Sequence, residues 1–215
     1  ILVKKIGISL RVENIKKYEE KRDSISHDWI DLFKKLNFIP ILIPNKLHNV
    51  ELFLKDMKLD GLILSGGDNI GDDPERDITE KKIIDFAMFH KIPLLGVCRG
   101  MQVLNQFFEG TIILNENNNH VAQNHSIEII NSKFPHFQNF QKFEVNSFHN
   151  NLIKNEILGD NLIPFAISKS DKTIEGFYHE TLPFVGVMWH PERDNSNSIQ
   201  TELLKMIYCD EIWLN

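Results

Sequence analysis

This chain predicts an α/β architecture, with a mostly parallel central sheet and a smaller antiparallel portion. Three observations carry that expectation. Apolar runs alternate with helix-patterned segments through the first half, several of those runs break into glycine-containing turns, and strand-like runs follow one another in the second half. The 215 residues are 42% hydrophobic and 25% charged, enough to bury one sizeable core, so a single domain over residues 1–215 is expected.

In chain order, Lys5 to Leu10 is the first apolar run, followed by a helix pattern over Ser26 to Asn37 and a strand over Phe38 to Ile43. Val50 to Lys58 is helical, Gly61 to Leu64 is a short buried strand, Thr79 to His90 is helical, and Ile92 to Val97 is the next strand. This alternation is the signature of crossover units on a parallel sheet. Helix-like Met101 to Phe108 comes next, and the polar stretch Asn115 to Asn119 reads as a surface loop. Ile127 to Ile130, Phe143 to Asn146, Phe165 to Ser168 and Thr173 to Tyr178 read as antiparallel or mixed strands. Phe184 to Met188 is a further buried strand, and Ser196 to Leu214 is a closing helix.

Composition excludes several classes of function. A net charge of −6 with no basic stripe offers nucleic acid no electrostatic footprint. No run approaches the roughly 18 apolar residues of a membrane helix, and Ile1 to Lys5 is too short for a signal peptide, so a cytoplasmic protein is expected. The two cysteines stand in different contexts, which argues against a disulfide framework, and Cys209 reads as a core residue of the last helix. The nine histidines form no zinc-ligand spacing. The acidic run from Asp68 to Asp77 reads as a solvated loop, because sequence density shows no convergence of ligands on a cation. No metal and no cofactor is expected.

Gly96-Val97-Cys98-Arg99-Gly100 places a thiol where a buried strand turns into a helix. Flanking glycines permit a sharp elbow with the side chain at its tip, and the positive end of the helix favours the thiolate. A free cysteine is otherwise most often a buried core residue. Here partners exist further along. The strand Phe184 to Met188 runs into Trp189-His190-Pro191-Glu192, where His190 suits a general base and Glu192 an orienter of its ring. The strand Gly61 to Leu64 breaks into Ser65-Gly66-Gly67-Asp68, whose backbone N–H groups suit an oxyanion, with the Arg99 N–H as the second donor. All three motifs stand at carboxyl ends of strands, where open α/β sheets collect their ligands.

Gly66-Gly67-Asp68, Gly96 to Gln102 and Trp189 to Glu192, in this order, resemble the class I glutamine amidotransferase superfamily over nearly the whole chain. The resemblance implies a three-layer, flavodoxin-like class I glutamine amidotransferase fold and a γ-glutamyl thioester on the cysteine. It implies a catalytic triad of Cys98, His190 and Glu192, with Gly67 and Arg99 as oxyanion donors. Arg99 after the cysteine, with Val145-Asn146-Ser147-Phe148-His149, is similar to the stand-alone γ-glutamyl hydrolases of the peptidase C26 branch. Gly66, Gln102, Ser147, Phe148 and His149 are then the residues expected around the glutamyl group, with His125 and Glu175 in segments that frame the pocket. Asn150-Asn151 stands where γ-aminobutyrate-type members carry a second histidine, and the Asp68 to Asp77 stretch is short.

The substrate implied is a small-molecule γ-glutamyl conjugate, either γ-glutamyl-γ-aminobutyrate or the γ-glutamyl-CDP-amidate used in making capsular phosphoramidate. The rival reading is a glutaminase subunit that delivers ammonia to a separate synthetase. Neither nucleic acid nor membrane is an expected partner, and a homodimer is left open.

Overall fold

In the computed structural model, residues 3–114, 121–130, 142–193 and 198–209 are described. The chain enters on β1 (Lys4–Ser9) and turns at once into a hairpin, β2 (Arg11–Ile15) and β3 (Glu20–Ser24), for which the sequence carries no pattern. α1 (His27–Leu36) follows. Its first turn is capped by the Ser26 hydroxyl, which accepts from the Asp28 N–H at 3.2 Å, and it ends at Asn37 in the left-handed conformation. β4 (Phe38–Ile43), α2 (Val50–Met57) and β5 (Gly61–Leu64) lie where expected.

α3 (Pro74–His90) begins five residues before the expected start at Thr79. Pro74 occupies its first position and Glu75 and Asp77 lie in its first turn, all favourable at a helix N-terminus. The acidic stretch is therefore half helix, and the expectation of a solvated loop is corrected. Asp73 is buried against Lys21 Nζ at 3.2 Å, and Asp77 pairs with Arg99. Among the described residues no cluster of three or more His, Cys, Asp or Glu side chains could hold a metal ion.

β6 (Leu94–Val97) and α4 (Arg99–Phe107) complete the crossover half. Two short strands, β7 (Ile113–Leu114) and β10 (Asn151–Leu152), pair with each other, and β8 (Val121–Ile129) pairs antiparallel with β9 (Lys142–Phe148). β11 (Leu162–Ser168), β12 (Ile174–His179), β13 (Phe184–Val187) and α5 (Ser198–Tyr208) close the fold. Cys209 is exposed, not a core residue, because its N–H continues the helical ladder to the Lys205 carbonyl at 2.7 Å and so places it four residues on from exposed Lys205, on the outer face. Asn115 to Asn119 lies outside the described residues. No helix among the described residues is long and apolar enough to cross a membrane.

One nine-stranded sheet has the order β4-β1-β5-β6-β13-β12-β11-β8-β9. The first five strands are mutually parallel and the rest are antiparallel. Numbered among themselves, the parallel strands run 2-1-3-4-5, the flavodoxin-like order. Successive residues of these strands face opposite layers. Ile63, Leu95 and Val185 pack with Trp29, Phe33 and Leu203 of α1 and α5, whereas Leu62, Leu94 and Phe184 pack with Leu54, Ile83 and Leu104 of α2, α3 and α4.

Candidate active site

β5, β6 and β13 are neighbours in the sheet and parallel, so their carboxyl ends emerge on one edge. The register pairs Leu64 with Gly96 and Val97 with Val187, so the three motifs that follow these strands start level with one another. The Cys98 N–H donates to the Val187 carbonyl at 2.8 Å, extending the ladder to the elbow itself. Cys98 has φ 51° and ψ −104°, outside the regions open to most side chains. A carbon built on Gly100 would stand 2.1 Å from the Leu64 carbonyl oxygen. Only glycine lets α4 start that close to β5 and hold the elbow in place.

His190 is buried, with Nδ1 2.7 Å from Glu192 Oε1. Its backbone is gripped on both sides by the Asn146 side chain. The amide nitrogen donates to the His190 carbonyl at 2.9 Å, and the amide oxygen accepts from the His190 N–H at 2.9 Å. Burial pulls the imidazole pKa down, but hydrogen bonds to Cys98 and Glu192 outweigh it and the value rises to about 9. That value favours the protonated ring between Cys98 and Glu192 at neutral pH. A carbon built on Gly66 would lie 2.7 Å from His190 Cε1 and 3.6 Å from Cys98 Cβ, so all three share one small space. Gly67 beside it has φ 147°.

The cavity at Cys98 is lined by Gly66, Gly67, Phe148, His190, Glu192 and Arg193, together with Arg11, Ser24, Ser26 and Trp29. Of the residues singled out from sequence, Gly66, Gly67, Cys98, Phe148, His190 and Glu192 thus come together. Gln102, Ser147 and His149 are buried and do not line this cavity. Gln102 Oε1 accepts from Asn151 Nδ2 at 3.0 Å, His149 Nδ1 lies 2.9 Å from the Asn151 carbonyl, and His149 Nε2 lies 3.7 Å from the buried Glu175 carboxylate. His125 Nε2 approaches that same carboxylate at 3.3 Å. Burial lowers the His125 pKa and Glu175 more than restores it, leaving it raised.

Arg99 opens α4, where first-turn N–H groups have no helical acceptor, but its side chain turns away from the cavity. Its guanidinium pairs with Asp77 and with Glu80, which is 0% exposed. Glu80 also accepts from Arg76 Nε at 2.9 Å and Ser9 Oγ at 2.8 Å. Arg76 in turn donates to the carbonyls of Ser65 at 2.8 Å and Gly66 at 3.0 Å. One carboxylate therefore ties the turn after β5 to the residue after Cys98. The sequence signal for it is Arg76 and Glu80 at i and i+4 near a helix start. The hairpin residues, Arg11 among them, carry no such signal.

The strand order and the elbow thiol define the class: an α/β chain with the class I glutamine amidotransferase fold. Solved structures share that fold. A glutamine amidotransferase of Thermotoga maritima superposes with TM-score 0.65 at 18% identity over 98% of this chain and 84% of its own. A GMP synthase-type protein of Thermoplasma acidophilum superposes with TM-score 0.74 at 24% identity over 96% of this chain and 94% of its own. Within that class the chain belongs to the peptidase C26 family, which matches residues 5–192, and so to the cysteine-dependent hydrolases. Among its relatives is the γ-glutamyl-CDP-amidate hydrolase of Campylobacter jejuni, 36% identical over 91% of this chain and 94% of the relative.

Proposed function

We propose that this chain hydrolyses the amide bond of a γ-glutamyl conjugate through a thioester on Cys98, as one catalytic domain over residues 1–215. The observation that carries the reading is the alignment of the thiol, the imidazole and its carboxylate at the ends of two paired strands. The Cys98 thiolate attacks the γ-carbonyl carbon, and the oxyanion is held by the Gly67 and Arg99 N–H groups. His190 gives its proton to the departing nitrogen as the C–N bond breaks. Water then attacks the thioester while His190 takes a proton, the C–S bond breaks, and glutamate and the thiolate are released. Glu192 keeps the ring oriented. We assign Gly66, Gln102, Ser147, Phe148 and His149 to the glutamyl side, with Gly66 and Phe148 at the cavity surface and the other three buried behind.

For the leaving group we propose a nucleotide-linked phosphoramidate, the class named for the Campylobacter jejuni relative. The test is glutamate release by the pure protein from γ-glutamyl-CDP-amidate, γ-glutamyl-γ-aminobutyrate and glutamine. The nucleotide conjugate is expected to give the highest kcat/KM, because a larger leaving group supplies binding energy that can be used in the transition state. Cys98→Ala should abolish release with the fold intact, and quenched wild-type turnover should leave a γ-glutamyl adduct on the Cys98 peptide. If glutamine is the best substrate, or if activity needs an added synthetase, the glutaminase-subunit reading replaces this one.

A further inference from the structure

The chain as a whole is acidic, with a net charge of −6, yet two arginines line the cavity. Arg11 and Arg193 both line it, and the only carboxylate among the described residues of its wall, Glu192, is engaged by His190. Arg11 follows β1 directly after Leu10, beside the turn that ends β5. That is the crevice between the first and third parallel strands, where the strand order reverses and open α/β sheets bind their ligands. The side chain lies along the oxyanion glycine: a carbon built on Gly67 would meet Arg11 Cγ at 3.1 Å and Nε at 3.2 Å.

Arg11 is poorly neutralised where it stands. Its ion pair with Asp68 is long, 3.7 Å between half-exposed groups, and its buried Nε has no hydrogen-bond partner among the described residues. A buried N–H left unpaired is costly unless a ligand supplies the acceptor. Arg193 has no carboxylate partner among the described residues, and its guanidinium carbon lies 4.3 Å from the centre of the Phe148 ring. Stacking there keeps its planar fork extended beside the cavity. A guanidinium fork pairs with phosphoryl oxygens in bidentate fashion, and two such forks line this one cavity.

We propose that Arg11 and Arg193 form an anion subsite for the leaving group, gripping the phosphoryl oxygens bonded to, or next to, the scissile nitrogen. This rests on the γ-glutamyl hydrolase reading and adds where the phosphorylated half lies: over the hairpin of β2 and β3, not over α4. Arg11 beside Gly67 also places positive charge close to the forming oxyanion.

The test uses Arg11→Gln, Arg193→Gln and wild type with two substrates, γ-glutamyl-CDP-amidate and γ-glutamyl-p-nitroanilide, whose leaving group is uncharged. The ratio of kcat/KM for the first over the second should fall about ten- to a hundredfold in each variant, the range expected for one charge-assisted contact. Cytidine diphosphate should protect wild-type Cys98 from iodoacetamide, and the concentration needed should rise by a similar factor in the variants. If wild type cleaves the nucleotide conjugate and both variants keep the wild-type ratio, the subsite is overturned and the proposed function stands. If wild type cleaves only uncharged conjugates, the leaving-group assignment fails. The subsite then survives only if arginine-dependent protection by cytidine diphosphate is still measured, and it falls with the assignment if it is not.

Discussion

The proposed mechanism turns on one ionisation, that of His190. Its folded-state pKa, about 9, stands above the ordinary value of 6.5, so the protonated ring stabilises the fold fully below pH 6.5, and that contribution is lost as pH rises through 9. Urea midpoints should therefore decline between these limits. In Cys98→Ala one of the two raising partners is gone while burial still pulls downward, so His190 should titrate lower and the decline should shrink. Following the His190 Cε1–H resonance by NMR against pH in both proteins checks this, and an unchanged titration would remove Cys98 as its partner. The alkaline limb of kcat/KM should follow the coupled pair and fall near pH 9, moving to lower pH in Glu192→Gln. At this scale the sequence places the three side chains that meet at the cavity. Cys98, His190 and Glu192 sit in short motifs whose chemistry is local, whereas Asn146 acts across 44 positions of sequence to clamp the His190 backbone, and nothing in its own neighbourhood announces that reach.

Among the elements, α3 starts well before its sequence suggests. Pro74 with acids in the following turn is a start signal, but the surrounding carboxylates suggest solvent, and the helix starts earlier than expected so that Arg76 and Glu80 reach beneath the turn after β5. The hairpin of β2 and β3 is illegible for a different reason. Of its strand residues only Val12 is buried, so the alternation that betrays a strand is absent, and its role comes from carrying Arg11 to the cavity. Glu80→Gln tests the positioning role of α3. It leaves two buried guanidiniums short of one charge, so a loss of stability of about 3–5 kcal/mol is expected by urea denaturation. A purely structural role would scale activity with the folded fraction. Because Arg76 holds the Ser65 and Gly66 carbonyls, the fraction still folded should instead show kcat lowered about tenfold with KM changed little, the mark of an interaction made in the transition state. Equal activity per folded molecule would show that the network only supports the fold.

For the whole molecule, the order of the parallel strands is what makes separate motifs into one site. It follows from crossover connections between strands that the sequence does show, because right-handed crossovers leave few alternatives. The antiparallel half is legible only as isolated runs, since register between strands far apart in sequence is fixed by packing that no single segment encodes. The same sheet also determines how the molecule should unfold. Leu62 and Leu64 serve the core under α2, α3 and α4, while Ile63 between them serves the core under α1 and α5, so neither core can be lost without freeing strands the other needs. Leu203→Ala in α5 and Ile83→Ala in α3, both at fully buried positions, should each cost about 2–5 kcal/mol from cavity formation. Each should lower the urea midpoint with an unchanged slope, and fluorescence and far-ultraviolet circular dichroism should report coincident transitions in both. Two separated transitions in either variant would mean that the faces fold as distinct units, and the single-domain reading would give way.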